Sequence, residues 1–587
     1  MNTVVELLSV PFVLLLALRA EPRVPPALRS AARRLTRFAN RRWLAVLLVG
    51  LAGTLGSVAA TWVFGWPEPN FQDEYSYLLM ADTFAHGRVT NPPHPLWQHF
   101  ETFQIIQQPT YQSKYPVAQG LVMAAGQVLT GHPIVGVWLS MGLACGALCW
   151  MLQGWFPPRW ALLGAALMTV RLVCSGHAAA PQDMTWGYWG RGYFGGATAA
   201  LGGALLYGAL PRLLKSPRVG LALTMGLGLA ILANSRPFEG LVVSLPAAAV
   251  LLGWLVGKRR PPLGVALGQV VLPLGLVLAL TGGALGYYNW RVTGSPLTMP
   301  YQVHEDTYAA NPIFVWQAPK PLPEYRHPDI ARFWAGWVRD LYLRHQVPAE
   351  MARLALVKWT QIILCYLGVW LLIAVLALRP ALRDGRVRLA VVACGLLLLA
   401  QTQVYCYCPH YAAPAAGLFA VLAVAGLRHF RLWRFQGRPA GRALVRGIAL
   451  CYPVLVVLTV LAEPRIPDDA THLMRARLLR QLESDGDRHL VVVRYYHPWP
   501  GGLGHEDWVW NEADIDASRV VWAREMGPAE DRRLLDYYPD RRAWLLEVEV
   551  DKQSYRLMPH PLRQDSPPHP QPLSPEAGER GARKGTP

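Results

Sequence analysis

Asp73 and Glu74 stand side by side in FQDEYSY (residues 71–77), with Tyr75 and Tyr77 around them. Adjacent carboxylates at the mouth of a membrane bundle suit a general base or a metal ligand. A helix over 73–86 sets Asp73 and Tyr77 one turn apart on one face, with Glu74 beside them. The same letters have a structural reading. Asn70 can cap the helix, Asp73 at its third position complements the helix dipole, and Gly87 can end it. Local sequence leaves both readings open.

Five further stretches carry groups that hold anions or metals. In YQSKYPVAQGL (111–121), Lys114 and Tyr115 precede Pro116, which starts an apolar helical run. Lys114 either snorkels at the interface or offers a compact positive charge to a phosphate. In QDMTWGYWGRGYFGG (182–196) the aromatics suit a membrane-interface belt, while Arg191 between two glycines suits an anion. In NSRPFEG (234–240), Arg236 and Glu239 flank a proline; they pair with each other, or Arg236 serves a phosphate or sugar. CYCPHYAAP (406–414) brings two cysteines and His410 together, and HPLWQHFE (94–101) holds His94, His99 and Glu101. A divalent metal stays open at these last two stretches, although C-x-C-x-H fits no strong zinc pattern. Plain hydrogen bonding is their alternative, and no metal ligand is assigned.

The elements that position these groups are membrane helices. Of 587 residues 52% are hydrophobic and 16% charged. Soluble domains carry charge on about a quarter of their residues. Apolar runs predict spans near 43–65, 133–153, 159–175, 193–212, 217–234, 237–257, 262–288, 351–378, 389–405, 409–427 and 444–463, with 2–18 as one more. That is a mainly α, polytopic transmembrane helix bundle of about 11–12 spans. The apolar segment 117–130 reads as a juxtamembrane helix. Residues 19–42 hold eight arginines against one glutamate, and the other basic connections lie at 211–218, 257–262, 379–388 and 428–446. If the spans alternate, all five fall on one side, which the positive-inside rule makes cytoplasmic. The loops 66–117 and 289–350 and everything after 463 then face outward, FQDEYSY included. The chain is predicted to be a multi-pass protein of the inner (plasma) membrane.

The organisation that follows is a basic N-terminal segment (1–42), a transmembrane domain (43–463), an extracytoplasmic α/β domain (464–562) and a disordered tail (563–587). In the third, 490–496, 519–525 and 543–550 read as strands and 529–538 as a helix. The tail is rich in proline, glycine and charge.

Composition also excludes. The net charge of +18 sits in short loops between spans, where it sets topology, so nucleic acid is no partner. The eight cysteines lie in or at the ends of apolar runs, which implies no disulfide framework. The N-terminus lacks the basic n-region of a signal peptide. No P-loop or dinucleotide fingerprint is present.

An acidic pair just after a span, Asp73-Glu74, then Tyr115-Pro116 at the end of the same loop, then arginines at later outer span ends: together these resemble the GT-C class of integral-membrane glycosyltransferases. Within it the chain is similar to the family of protein O-mannosyltransferases and lipid A aminoarabinose transferases. The resemblance covers roughly residues 43 to 430. It departs at Val117, where such families often have a second proline, and in the α/β region from 464.

The resemblance implies a polyprenyl-phosphate sugar as donor and an extracytoplasmic acceptor at the bilayer surface. Asp73 would be the general base, with inversion at the anomeric carbon, and Glu74 would bind the acceptor or support Asp73. Lys114, Arg191 and Arg236 would stabilise the leaving phosphate. Tyr77, Tyr115, Glu239 and His410 complete the expected substrate-binding set. A polytopic transporter, a flippase or a non-catalytic component of surface-polysaccharide assembly are the alternatives. Transport would line charges through the bilayer; transfer would cluster them around one outward cavity.

Overall fold

Backbone polar groups have no water to bond to inside a bilayer, so the apolar runs of this chain close their hydrogen bonds as helices. The computed structural model describes residues 3–19, 26–174, 189–258, 260–461, 470–496, 507–549 and 554–563. Among these, seven helices are long and apolar enough to cross a membrane: Arg42–Phe64, Ile134–Trp155, Gly196–Lys215, Pro237–Val256, Leu263–Thr293, Pro409–Phe430 and Ala440–Leu458. Pro348–Tyr366 and Gly368–Val375, bent by 100° at their junction, make an eighth if they form one broken span.

By length and composition the count is therefore seven or eight, where the sequence predicted about 11–12. The segments 159–175, 217–234 and 389–405 fall on helices of 16, 15 and 17 residues. At about 1.5 Å per residue such helices reach roughly 25 Å, short of a hydrocarbon core of about 30 Å. Residues 2–18 fall on the helix Thr3–Arg19, whose described apolar stretch is shorter still.

Small residues let the spans close on one another. A Cβ on Gly50 would sit 3.0 Å from the Gly142 carbonyl oxygen, so Arg42–Phe64 and Ile134–Trp155 meet backbone to backbone. A Cβ on Gly203 would run into the Pro414 carbonyl, which seats Gly196–Lys215 against the start of Pro409–Phe430. Pro409–Phe430 is the central helix, 94% of its apolar window buried, whereas Leu263–Thr293 lies at the rim with 17% buried.

The broken span has an internal cap. Gly368 adopts φ +58°, and a Cβ there would collide with the Arg171 guanidinium and the Glu6 carboxylate. Arg171 donates to the carbonyls of Leu364 and Cys365 at the end of the first half. Glu6 accepts from Val369 N–H (2.6 Å) at the start of the second half and pairs with Arg171. Both charges are buried, and together they satisfy backbone groups that the 100° break would leave bare.

Outside the bundle, helix Gln72–Ala85 packs on helix Val117–Thr130 and on a two-stranded ribbon that pairs Ile105 with Ser113 and Ile106 with Gln112. Beyond them stands a four-stranded sheet in the order Val520–Arg524, His489–Tyr496, Arg542–Glu549, Ser554–Pro559. The first three strands are parallel and the last is antiparallel, and helix Pro528–Tyr537 connects two of the parallel strands. The first three strands and the helix match the predicted ones within a residue or two; the edge strand Ser554–Pro559 was not predicted. The sheet shares an apolar cluster with the loops 66–117 and 289–350, Leu490, Val492 and Val521 packing with Phe100, Phe103, Tyr111 and Phe333. From residue 564 onward the expected disordered tail lies outside the described residues.

Candidate functional site

The ribbon fixes where Lys114 and Tyr115 emerge. Ser76, on the second turn of the acidic helix, bonds to Ser113 Oγ and donates to the Gln104 carbonyl, each at 2.7 Å. The acidic helix and the strand ahead of Lys114 are thereby held in one register. Pro116 then opens helix Val117–Thr130, whose Ala118 N–H donates to the Asn234 carbonyl over 2.8 Å. That bond ties the Lys-Tyr-Pro turn to the turn carrying Arg236.

The acidic helix begins one residue earlier than the sequence suggested, at Gln72, with Phe71 at the cap position, so Asn70 does not cap it. Glu74, not Asp73, occupies the third position and reaches back. Its Oε2 accepts from the N–H groups of Asn70 (2.9 Å) and Phe71 (3.2 Å), and its Oε1 accepts from Tyr193 N–H (2.8 Å). Burial pushes the Glu74 carboxyl up to about 7 against the pull of these three donors. Its oxygens are spent on backbone: Glu74 pins the start of the helix to the Tyr193 loop. Gln119 continues the same lattice, donating to the Tyr193 carbonyl (3.0 Å) and accepting from Thr198 (2.9 Å).

Asp73 is the less buried carboxylate of the pair. It is half-buried, and its Oδ1 accepts the Tyr115 hydroxyl at 2.7 Å. Burial raises the Asp73 carboxyl above the ordinary range, while the Tyr115 bond and the charges of Lys114 and Arg236 act the other way. Burial and the adjacent carboxylate hold the Tyr115 phenol well above its ordinary range, so it remains a donor. Tyr77 stacks on Tyr115, ring centroids 4.6 Å apart, and stiffens that geometry.

Two cations act on this carboxylate. Arg236 lies at the cap of Pro237–Val256, its guanidinium 4.0 Å from the centre of the Tyr411 ring. Lys114 is 4% exposed and bonds to Glu305 Oε1 at 2.9 Å. Cys406 and Cys408 belong to the same neighbourhood: both thiols lie in the field of Asp73, and Cys406 is exposed. The structure thus gathers Asp73, Tyr77, Lys114, Tyr115 and Arg236 from the acidic helix, the Lys-Tyr-Pro turn and the cap of Pro237–Val256.

The remaining predicted residues stand differently. Arg191 donates to the carbonyls of Phe64 (3.0 Å) and Gly65 (3.1 Å), satisfying the end of the first span. Glu239 is buried and accepts from Gln401 Nε2 at 3.1 Å. His410 is fully buried between the rings of Phe194 and Tyr411. The part of the aromatic stretch from 182 to 188 lies outside the described residues.

His94 bonds to Asp516 Oδ1 (3.2 Å) and His99 to the Arg524 carbonyl (2.8 Å); Glu101 accepts from Tyr308 (2.9 Å). The two histidines therefore fasten the C-terminal region to the loop 66–117, and the Glu101 carboxylate ties that loop to 289–350. Among the described residues, no three His, Cys, Asp or Glu side chains are grouped to hold a metal ion. Sequence reasoning missed Glu305, His304, Gln119 and Tyr411. Only the acidic, histidine-bearing PYQVHEDTY (300–308) carried a local signal, and its partner lies 191 residues away.

No family model matches the chain. No curated protein matches it either. Solved structures resemble it at low identity. ArnT from Cupriavidus metallidurans in the apo state aligns with a TM-score of 0.45 and 12% identity, over 85% of this chain and 93% of that one. The Archaeoglobus fulgidus oligosaccharyltransferase in complex with zinc and sulfate aligns at 0.46 and 12%, over 86% and 68%. The archaeal oligosaccharyltransferase AglB of that organism, with an inhibitory peptide and a dolichol-phosphate, aligns at 0.45 and 12%, over 87% and 70%.

Proposed function

We propose that the protein is a GT-C-type membrane glycosyltransferase, moving a sugar from a polyprenyl-phosphate donor to an extracytoplasmic lipid, glycan or protein. The observation that carries this reading is the convergence of Lys114 and Arg236 on one half-buried carboxylate, Asp73, which Tyr115 orients. The order of the acidic pair, the Tyr-Pro element and the later arginine in the sequence supports it.

In this reading Asp73 takes the proton of the acceptor hydroxyl, held in place by Tyr115. The acceptor oxygen forms its bond to the anomeric carbon from the face opposite the phosphate. The bond from that carbon to the phosphate oxygen breaks, and polyprenyl phosphate leaves with inversion. Negative charge grows on the phosphate, where Arg236 and Lys114 stabilise it. Tyr77, Glu239, His410 and Arg191 shape the walls and the loop around the site. The C-terminal sheet shares an apolar cluster with the loop that carries Lys114, so it stands on the same side of the membrane as the site. Gathering of the charges at helix ends, instead of along a path through the bundle, favours transfer over transport.

The test is transfer of label from a radiolabelled polyprenyl-phosphate sugar in membranes, comparing wild type with Asp73→Asn. Loss of transfer at equal expression is the expected result. Unchanged transfer removes Asp73 as the base and this reading with it.

A further inference from the structure

Lys114 is neutralised where it stands. Its Nζ lies 2.9 Å from Glu305 Oε1, and the rings of Tyr301 (4.5 Å), Trp334 (5.4 Å) and Tyr115 (5.6 Å) surround it. A lysine paired this closely has little charge to lend an incoming anion. Its partner is incompletely satisfied. Glu305 is 5% exposed, yet its Oε2 accepts no hydrogen bond. His304 is fully buried; its Nδ1 faces Glu305 Oε1 at 3.5 Å, and its Nε2 makes no hydrogen bond. A buried pair kept for stability alone has its remaining lone pairs satisfied, because each orphan is costly. Two buried polar atoms on helix Pro300–Tyr308, Glu305 Oε2 and His304 Nε2, are left without partners beside the Lys114–Glu305 pair.

We propose that Glu305 is an internal stand-in for a phosphate ester: the ligand's phosphate takes Lys114 Nζ, the Glu305 carboxylate gives way, and this exchange sets the strength of the anion site. The proposal rests on the reading of Lys114 as a phosphate ligand. It adds that Lys114 is masked, and names the residue that masks it. Helix Pro300–Tyr308 carries both Glu305 and Tyr301, so the same helix that supplies the competing carboxylate also roofs the ammonium. The orphaned His304 gives the displaced carboxylate a hydrogen-bond donor to turn to. The exchange also suits the chemistry. A phosphodiester donor carries one negative charge, and the departing monoester gains a second, so Lys114 is drawn from Glu305 most strongly as the leaving group forms.

The experiment measures binding of dodecyl phosphate and of inorganic phosphate to the full-length protein in detergent micelles by calorimetry. Wild type is compared with Glu305→Gln, Glu305→Asp and the double variant Lys114→Met/Glu305→Gln. Removing the competing charge is expected to tighten binding by about tenfold or more. The shorter Glu305→Asp, which weakens the pair without removing it, gives a smaller gain. The gain disappears in the double variant. A gain for dodecyl phosphate alone identifies a lipid phosphate as the natural anion; an equal gain for inorganic phosphate identifies a free one.

Equal or weaker binding by Glu305→Gln and Glu305→Asp overturns the proposal, since removing a carboxylate that competes for Lys114 must strengthen the anion site. A gain that persists without Lys114 overturns it too. Because no sugar transfer is measured, failure of the Asp73→Asn test would leave this result standing, and the two readings fall separately.

Discussion

The Tyr115 hydroxyl donates to Asp73 Oδ1 over 2.7 Å, joining a residue on the acidic helix to one that lies 42 positions along the chain. The bond selects between the two carboxylates of the opening pair. Glu74 is consumed by backbone N–H groups, while Asp73 is oriented by one phenol and is the less buried of the two.

Tyr115→Phe removes that orientation while preserving the stack on Tyr77. A hydrogen bond to a charged group contributes about 2 kcal/mol, which corresponds to roughly a thirtyfold loss of transfer rate. The loss is expected in kcat more than in KM for the donor. Initial rates in reconstituted membranes check it; a rate within twofold of wild type rules the bond out as a catalytic support.

The raised Asp73 carboxyl predicts the shape of the pH profile. A general base acts deprotonated, so transfer rises with pH through the folded-state pKa, and its acid limb sits above the ordinary range of aspartate. Tyr115→Phe removes a donor that favours the ionised form, which moves the limb further toward neutral pH. The measurement is kcat/KM against pH for both proteins, and a limb that shifts to lower pH in the variant contradicts the assignment.

The cap of the broken span predicts a stability effect far from the site. Glu6→Gln leaves Arg171 buried without its counter-charge, at a cost of about 3–5 kcal/mol. Gly368→Ala forces a side chain against both groups. Each variant is expected to lower the thermal midpoint in detergent, whereas Gly253→Ala, where a Cβ meets nothing within 4 Å, leaves it unchanged.

Arg524 predicts how the sheet is held. It is 1% exposed and donates to the Glu101 carbonyl (2.6 Å) and to Asp507 Oδ2 (2.5 Å), with Asp329 as a third partner. Arg524→Met strands Asp507, itself buried, at a cost of about 3–5 kcal/mol. Limited proteolysis is expected to release the C-terminal sheet from the variant first, and equal resistance of the two proteins contradicts the role.

Much of this architecture was legible before any coordinates. Apolar runs predicted the long spans because an isolated lipid-facing helix must be apolar along its whole length, and that requirement is local. The short helices Pro158–Val173, Val219–Ala233 and Gly385–Gln401 were read as spans for the same reason; their true ends depend on neighbours. Asp73, Lys114, Tyr115 and Arg236 stood out as polar groups at the edges of apolar runs. Arg191 stood out equally, yet its guanidinium reaches the carbonyls of Phe64 and Gly65. Composition cannot tell an arginine that caps a helix from one that meets a ligand.

The sequence by itself determined the helix bundle, three strands of the C-terminal sheet and the short set of residues from which the site is drawn. Each follows from hydropathy, charge or periodicity within a few turns of chain. Tertiary structure alone decided the rest. It set which carboxylate of Asp73-Glu74 is less buried, which cation is masked, and that Glu6 and Arg171 close a helix break. Those outcomes turn on pairings between groups 42 to 191 residues apart, such as Tyr115 with Asp73 and Lys114 with Glu305. No local pattern encodes such a pairing, because its energy exists only once packing has removed water from both partners.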